Sequence, residues 1–351
     1  MRLLLFLVTF FLFLSHSSKC QKAPEVQVIT SGVNTSLRGM SIATDKVIWV
    51  SGSNGTVGKS ADAGKTWRWI TVAGLEKRDF RDIEAFDGST AIAMAVDNPA
   101  VIVKTTDGGA TWKKVFERSM PGMFLDAMYF KNKKEGICIG DPLDMKQTKT
   151  KQFYIIRTFD GGETWKEISL NEMPAAQPGE AIFAASGTNI SFLNKPGFEY
   201  AFVTGGSVSN LHLTGSREKQ NKVLKIPIVQ GKETAGTFSM AAGKTNDIYC
   251  VGGDYKAPED ALHNYYYSTN NGITWNTTII PPSGYRSCIR IINNKTLISC
   301  GSTGVDYAQN GQKEWKKVSN EGFNVCMVSK GKKVFFAGEK GKIGKLIYQQ
   351  Q

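Results

Sequence analysis

Short apolar runs bounded by glycine, aspartate and lysine turns recur along the whole chain. Residues 80–86 (FRDIEAF) alternate apolar and polar positions. TAIAMAV (90–96), AVIVKTT (100–106) and TWKKVF (111–116) follow after brief turns. Runs of this length and spacing predict β-strands, because alternation with period two places one face of each strand on a core. Groups of four such strands repeat about every 45 residues, the length of one propeller blade. A single blade cannot bury both of its faces, so blades must stack around an axis. The tail from Asn324 (NVCMVSKGKKVFFAGEKGKIGKLI) supplies three strands and lacks a fourth. The early run EVQVIT (25–30) can complete that blade and close the ring. The expected fold is therefore all-β: a single seven-bladed β-propeller over residues 24–349, with four-stranded antiparallel blades closed by the N- and C-terminal strands.

One octapeptide marks each period. SADAGKTW (60–67), TTDGGATW (105–112), TFDGGETW (158–165) and STNNGITW (268–275) all fit S/T-x-D/N-x-G-x-T-W. Their tryptophans lie 45, 53 and then 110 residues apart, the last gap being two periods. AQNGQKEW (308–315) is a worn copy, and REKQNKVLKIPI (217–228) stands where another would fall. Aspartate or asparagine can fix such a turn by accepting backbone N–H groups, and glycine supplies the positive φ it needs. The expectation is structural: Asp62, Asp107 and Asp160 hold turns, and Trp67, Trp112, Trp165 and Trp275 pack into the blade sandwich.

These octapeptides resemble the Asp-box, or bacterial neuraminidase repeat. FRDIEAFD (80–87), FLDAMYF (124–130), GDP (140–142), GEAIFAASGTN (179–189), VGGDY (251–255) and YRS (285–287) extend the resemblance. They are similar to the propellers related to the photosystem II assembly and stability factors of chloroplasts and cyanobacteria, which have relatives in non-photosynthetic bacteria. The resemblance implies that the octapeptides join the third and fourth strands on the outer rim. It also implies that ligands or partners meet the central mouth.

Superposing the first strands of the blades puts Arg38, Arg81, Asp126, Glu180, Phe238, Arg286 and Asn324 at equivalent places around that mouth. Aligning the second-strand exits adds Asp97, Asp141, Gly206, Asp254, Tyr255, Ser302 and Glu339. So many acids and arginines beside a core depart from the apolar expectation. Two readings stay open. Opposed charges can pair across the ring, or Arg38, Arg81 and Arg286 can present planar donor forks to a carboxylate or phosphate. The candidate ligand-binding set is Arg38, Arg81, Asp126, Asp141, Glu180, Asp254, Tyr255 and Arg286. Loops at 142–152, 208–220 and 255–264 read as insertions that project near the site. His212 and His263 lie in them and read as surface residues.

The expected function is an exported binding or assembly module, monomeric, that holds a protein partner or an anionic or carbohydrate ligand at this mouth. The alternative is a carbohydrate-active hydrolase, sialidase-like or other, using Asp126, Asp141 and Glu180. An oxidoreductase has less behind it, because no nucleotide-binding glycine fingerprint opens a helix. No cofactor or metal is expected: the chain has only 3 His, and no cysteine pair is spaced C-x-x-C. Cys138, Cys250, Cys288, Cys300 and Cys326 sit in strand-like runs. Cys288 and Cys300 flank a hairpin centred on Asn294, where both a disulfide and buried free thiols fit.

Charge and targeting alter the picture last. Arg2 and the apolar run 3–14 (LLLFLVTFFLFL) form a secretory signal over 1–17, with cleavage as late as residue 20. Twelve apolar residues are too few to span a bilayer comfortably, and Lys19 before Cys20 weighs against a lipoprotein anchor. The mature protein is thus expected to be secreted or periplasmic, without a transmembrane segment. The net charge of +12 then points away from nucleic acid. From Asn310 onward nine Lys face three Glu, which suits a solvated edge that resists strand-to-strand aggregation.

Overall fold

The computed structural model describes residues 23–195, 197–215 and 221–348. The signal segment, Cys20 and residues 217–220 of the eroded octapeptide lie outside these residues. Seven antiparallel sheets form a closed ring, and the fold is a seven-bladed β-propeller. Their first strands are Leu37–Ile42, Phe80–Ala85, Leu125–Phe130, Ile190–Lys195, Ala235–Ala242, Cys288–Asn293 and Val325–Val328. Each touches the first strand of both neighbouring blades, so these strands line the axis. Closure follows the expected route. Glu25–Thr30 pairs antiparallel with Ile343–Ile347, in the register Glu25 to Ile347, as the outermost strand of the blade that starts at Val325. Among the described residues no helix is long and apolar enough to cross a membrane.

The octapeptides connect third and fourth strands, as between Thr56–Ser60 and Arg68–Thr71. In the first copy Asp62 Oδ1 accepts the Thr66 amide at 2.9 Å, and Oδ2 accepts the Thr66 hydroxyl at 2.6 Å. Ser60 Oγ accepts the Gly64 amide at 2.9 Å. The same pattern recurs at Thr105–Thr111 and Thr158–Thr164, and at Ser268–Thr274 the two amide bonds are kept while Asn270 Nδ2 donates to the Thr274 hydroxyl at 2.8 Å. The turn also wedges one blade against another. Gly162 sits at φ +78°, and a Cβ there would lie 2.3 Å from Ile92 Cδ1 of the preceding blade. Trp112 likewise meets the fully buried Trp49 of the preceding blade edge to face.

Polar side chains on, or just before, the first strands stitch the ring together. Asn324 Nδ2 donates to Leu37 O at 2.9 Å, and Ser41 Oγ accepts the Ala85 amide at 3.0 Å. Asp82 accepts the Met128 amide at 2.7 Å, Ser239 accepts Ile289 N, and Ser287 donates to Asn324 O. Every one of these bonds crosses from one blade to the next.

Two expectations about the insertions are corrected. Much of 208–220 is not a projecting loop, because Asn210–Thr214 is a buried third strand of the fourth blade. His212 is therefore not on the surface: it lies stacked on Phe202 at 4.5 Å with Phe153 at its edge. His263 is exposed, as expected.

Candidate functional site

Four of the seven first strands carry a β-bulge in their first half. The pairing register shifts at Arg38, Arg81, Asp126 and Phe238, each an extra residue opposite its partner strand. A bulged residue leaves the ladder and its side chain is re-aimed. The bulges take these side chains out of the regular alternation of the strand.

Glu180 does not share this place. The fourth blade's first strand begins at Ile190, and Glu180 lies ten residues earlier in a two-residue strand paired with Gly205–Gly206. The sequence superposition failed because residues 171–189 are an additional connection, and its GEA motif imitates a strand start. The Glu180 strand instead joins the sheet of the fifth blade through Gly205–Gly206, and its buried side chain reaches the fourth blade. Its Oε1 meets His212 Nε2 at 2.8 Å, Thr204 Oγ1 at 2.6 Å and Asn210 Nδ2 at 3.0 Å. Burial pushes its carboxyl up, but the bonds from His212, the Gln177 amide and Thr204 outweigh this and hold it below the usual range.

The connection continues as Ile182–Asn189 and crosses the end of the channel. Arg81 Nη1 donates to Ala184 O at 3.4 Å, Ile182 N donates to Asp141 Oδ1 at 3.0 Å, and Ser186 Oγ donates to Ser287 O at 2.7 Å. Phe183 stacks on Phe238 at 3.9 Å. This segment divides the axis into two regions. Beneath it lies a cavity of about 420 Å³ lined by Asp82, Glu84, Arg290, Tyr129 and Gly187, among others. Gly187 runs so close to Asp82 that a Cβ would come within 2.4 Å of its carboxylate. Burial, with Glu84 nearby, pushes Asp82 well above the carboxylate range. Burial also lifts Glu84 to about 7, against Ser41 and Arg290.

Above the segment the mouth has three sectors. The cationic sector holds Arg38 beside Arg81, with Arg81 paired to Asp79 at 2.8 Å and over the Phe124 ring. Burial depresses Arg38 and the Arg81 charge adds to this, against Tyr285, Asp79 and Glu339. Among the described residues no hydrogen bond or ion pair joins the Arg38 guanidinium. The aromatic sector is Phe238 with Phe183, Tyr255 and Tyr285 packed around it; Tyr255 is exposed. The acidic sector is Asp126 with Asp141. Asp126 is fully buried and neither carboxyl oxygen has a well-formed hydrogen bond. Its burial and the nearby Asp141 raise it well above the usual range, against Arg81. Asp141 is raised to about 6 by burial, against the Ile182 amide and Lys151.

The remaining predicted residues are committed elsewhere. Arg286 is fully buried: Nε donates to Asp306 Oδ2 at 2.6 Å, Nη1 to Tyr285 O and Thr303 Oγ1, and Nη2 to Ser283 O and Oγ. Every guanidinium donor is occupied, so Arg286 braces the sixth blade and has none left for a ligand. Asp254 accepts the Lys256 amide and pairs with exposed Lys232 at 3.1 Å. The sequence reading missed Asp82, Glu84 and Arg290. Asp82 and Glu84 stand two apart in FRDIEAF, on one face of the strand, and that spacing was the available signal.

Comparison with known proteins fits this architecture. The profile of the family described as photosynthesis system II assembly factor YCF48 matches residues 18–135, about a third of the chain, and the BNR/Asp-box repeat matches 266–277. The chain resembles the Asp-box propellers of the photosystem II assembly factor group. A solved structure of YCF48 bound to D1 peptide aligns with TM-score 0.65 at 16% identity, covering 93% of this chain and 97% of that one. YCF48 from Cyanidioschyzon merolae gives 0.65 at 13% identity, with 92% and 99% covered. The Pan2 WD40 domain of Neurospora crassa gives 0.59 at 11% identity, with 93% and 96% covered, so the overall ring is shared beyond Asp-box proteins. No curated protein sequence matches.

Proposed function

We propose that this chain is an exported partner-binding propeller that captures an extended protein segment at its mouth, with Arg38 and Arg81 receiving an acidic group. The observation that carries this reading is Arg38: a half-buried guanidinium beside a second arginine, with no hydrogen bond among the described residues. Two like charges held together in a partly desolvated place favour an anion that bridges both. The aromatic sector at Phe183, Phe238 and Tyr255 offers apolar contact next to that anion site, as peptide grooves do. YCF48, which shares the fold, has been captured with a D1 peptide. Export rests on Arg2 and the apolar run 3–14, and N-terminal sequencing of the mature protein tests it.

A glycosidase draws less support from the geometry. It needs an acid and a base reaching one glycosidic bond. Here Asp126 is sealed from solvent, and Glu180 is bonded to His212 in a different blade wall.

The test is binding of a panel of extended peptides with acidic or amidated C-termini, read by fluorescence anisotropy. Acidic peptides should bind in a salt-sensitive way. R38A should weaken binding about tenfold or more while leaving the melting temperature in place, and R81A, which also gives up the Asp79 pair, should weaken it by a similar factor. Equal binding by R38A, or no preference for acidic over amidated peptides, would refute the reading.

A further inference from the structure

The fold assembles a cluster that cysteine spacing did not announce. Cys288 and Cys300 face each other in register on the first two strands of the sixth blade. Cys326 comes from the first strand of the seventh. The three sulfur atoms lie within 4.8 Å of one another, with Cys326 Sγ 3.7 Å from Cys288 Sγ. All three residues are completely buried, and all are free thiols. The Thr188 hydroxyl, from the segment across the channel, donates to Cys288 Sγ at 3.7 Å.

We propose that Cys288, Cys300 and Cys326 form a binding site for one Cu(I) ion. Thiolates are soft ligands and select soft cations. Three sulfurs converging on one point suit a three-coordinate monovalent ion. Structural zinc requires four ligands in a tetrahedron, and among the described residues no histidine or carboxylate joins the group. Binding replaces the protons of the coordinating thiols, which leave to solvent, and the ion stays Cu(I) throughout. Arg290, two residues beyond Cys288, offsets part of the negative charge left on sulfur. The consequence is mechanical: the ion ties the sixth blade to the seventh, the blade in which Glu25–Thr30 pairs with Ile343–Ile347.

The experiment is anaerobic titration of the whole reduced chain with Cu(I), in competition with bicinchoninate. One equivalent should bind, X-ray absorption should show a sulfur-only first shell, and the melting temperature should rise with free Cu(I). C288A, C300A and C326A should each lose about tenfold or more in affinity. C250A removes an isolated buried thiol and should bind as the parent does. If a cluster variant fails to fold, the parent and C250A still decide through stoichiometry and the sulfur shell. No uptake against bicinchoninate overturns the proposal. So does a disulfide among the three cysteines in the protein purified from its exported form, tighter binding of Zn(II) than Cu(I), or retained affinity in any folded cluster variant.

Discussion

The rim and the axis of this propeller both place aspartates on turns and strand ends, yet they treat carboxylates in opposite ways. At the rim, Asp62, Asp107 and Asp160 are solvated and receive hydrogen bonds from a threonine four residues later. Their carboxyls are held below the usual range. Along the axis, Asp82, Glu84, Asp126 and Asp141 are enclosed by neighbouring blades and pushed up. A rim carboxylate is satisfied within its own octapeptide. An axial one depends on chain segments 40 or more residues away. That separates residues that build the fold from residues the fold has set in a costly environment, which is where a binding function is to be sought.

The sharpest way to break the comparison is at Arg286, an axial charge that is fully satisfied. Arg286 and Asp306 are 0% and 1% exposed. Removing one partner strands the other charge in the core, so R286A should destabilise by about 3–5 kcal/mol. Chemical denaturation reads this directly. Alanine at Arg38, which has no such bonds, should leave stability nearly unchanged. Equal losses at the two positions would abolish the distinction between bracing and receiving arginines.

Next comes Glu84. The unfolded carboxyl loses its proton near 4.5, whereas the folded one keeps it to about 7. Between these values the unfolded state binds fewer protons, so stability falls as pH rises from 4.5 to 7 and then levels. E84Q should flatten that slope, gaining on the parent by on the order of 3 kcal/mol at pH 8. Asp82, Ser41 and Arg290 face the same cavity, and Asp82 would leave a residual slope. Identical pH profiles for parent and E84Q would show that water reaches this carboxyl freely.

Gly162 and Gly74 share φ +78°, but only Gly162 has a neighbouring blade in the way of a Cβ. G74A should cost about 1 kcal/mol from backbone strain, and G162A up to about 3 kcal/mol. The difference measures the wedge between the second and third blades. Equal costs would reduce the octapeptide to a turn with no role between blades.

What the sequence disclosed divides along the same line. The octapeptides, the period and the closure by EVQVIT are local patterns, and the structure reproduces them. Arg38, Arg81 and Asp126 lie near the start of their first strands, as their fixed offset before an apolar run predicts. Glu180 was misplaced because its motif copies that offset inside an additional connection. The Cys288–Cys300 pairing was legible as one hairpin, but Cys326 enters from another blade. Neither composition nor spacing encodes that approach. His212 looked like a loop residue because its neighbours Leu211 and Leu213 point to one side of the strand and Glu180, its partner, is 32 positions away.

The smallest effect belongs to the rim itself. Side-chain and backbone bonds from Thr66 hold Asp62 at about 2, and bonds from Thr164 outweigh desolvation to hold Asp160 at about 2, where an ordinary aspartate titrates near 3.8. A depressed carboxyl stabilises the fold above its unfolded value and loses that contribution as pH falls through its folded value. The window is therefore pH 4 down to 2, and solvent screening keeps the gain small. Carboxyl NMR titration should place Asp62 near 2, and T66V, which removes the hydroxyl while keeping the amide, should move it upward. If Asp62 titrates near 3.8 in the parent, the octapeptide bonds are too weak to fix the turn. The tryptophan and the interblade glycine would then be left to hold the rim by packing alone.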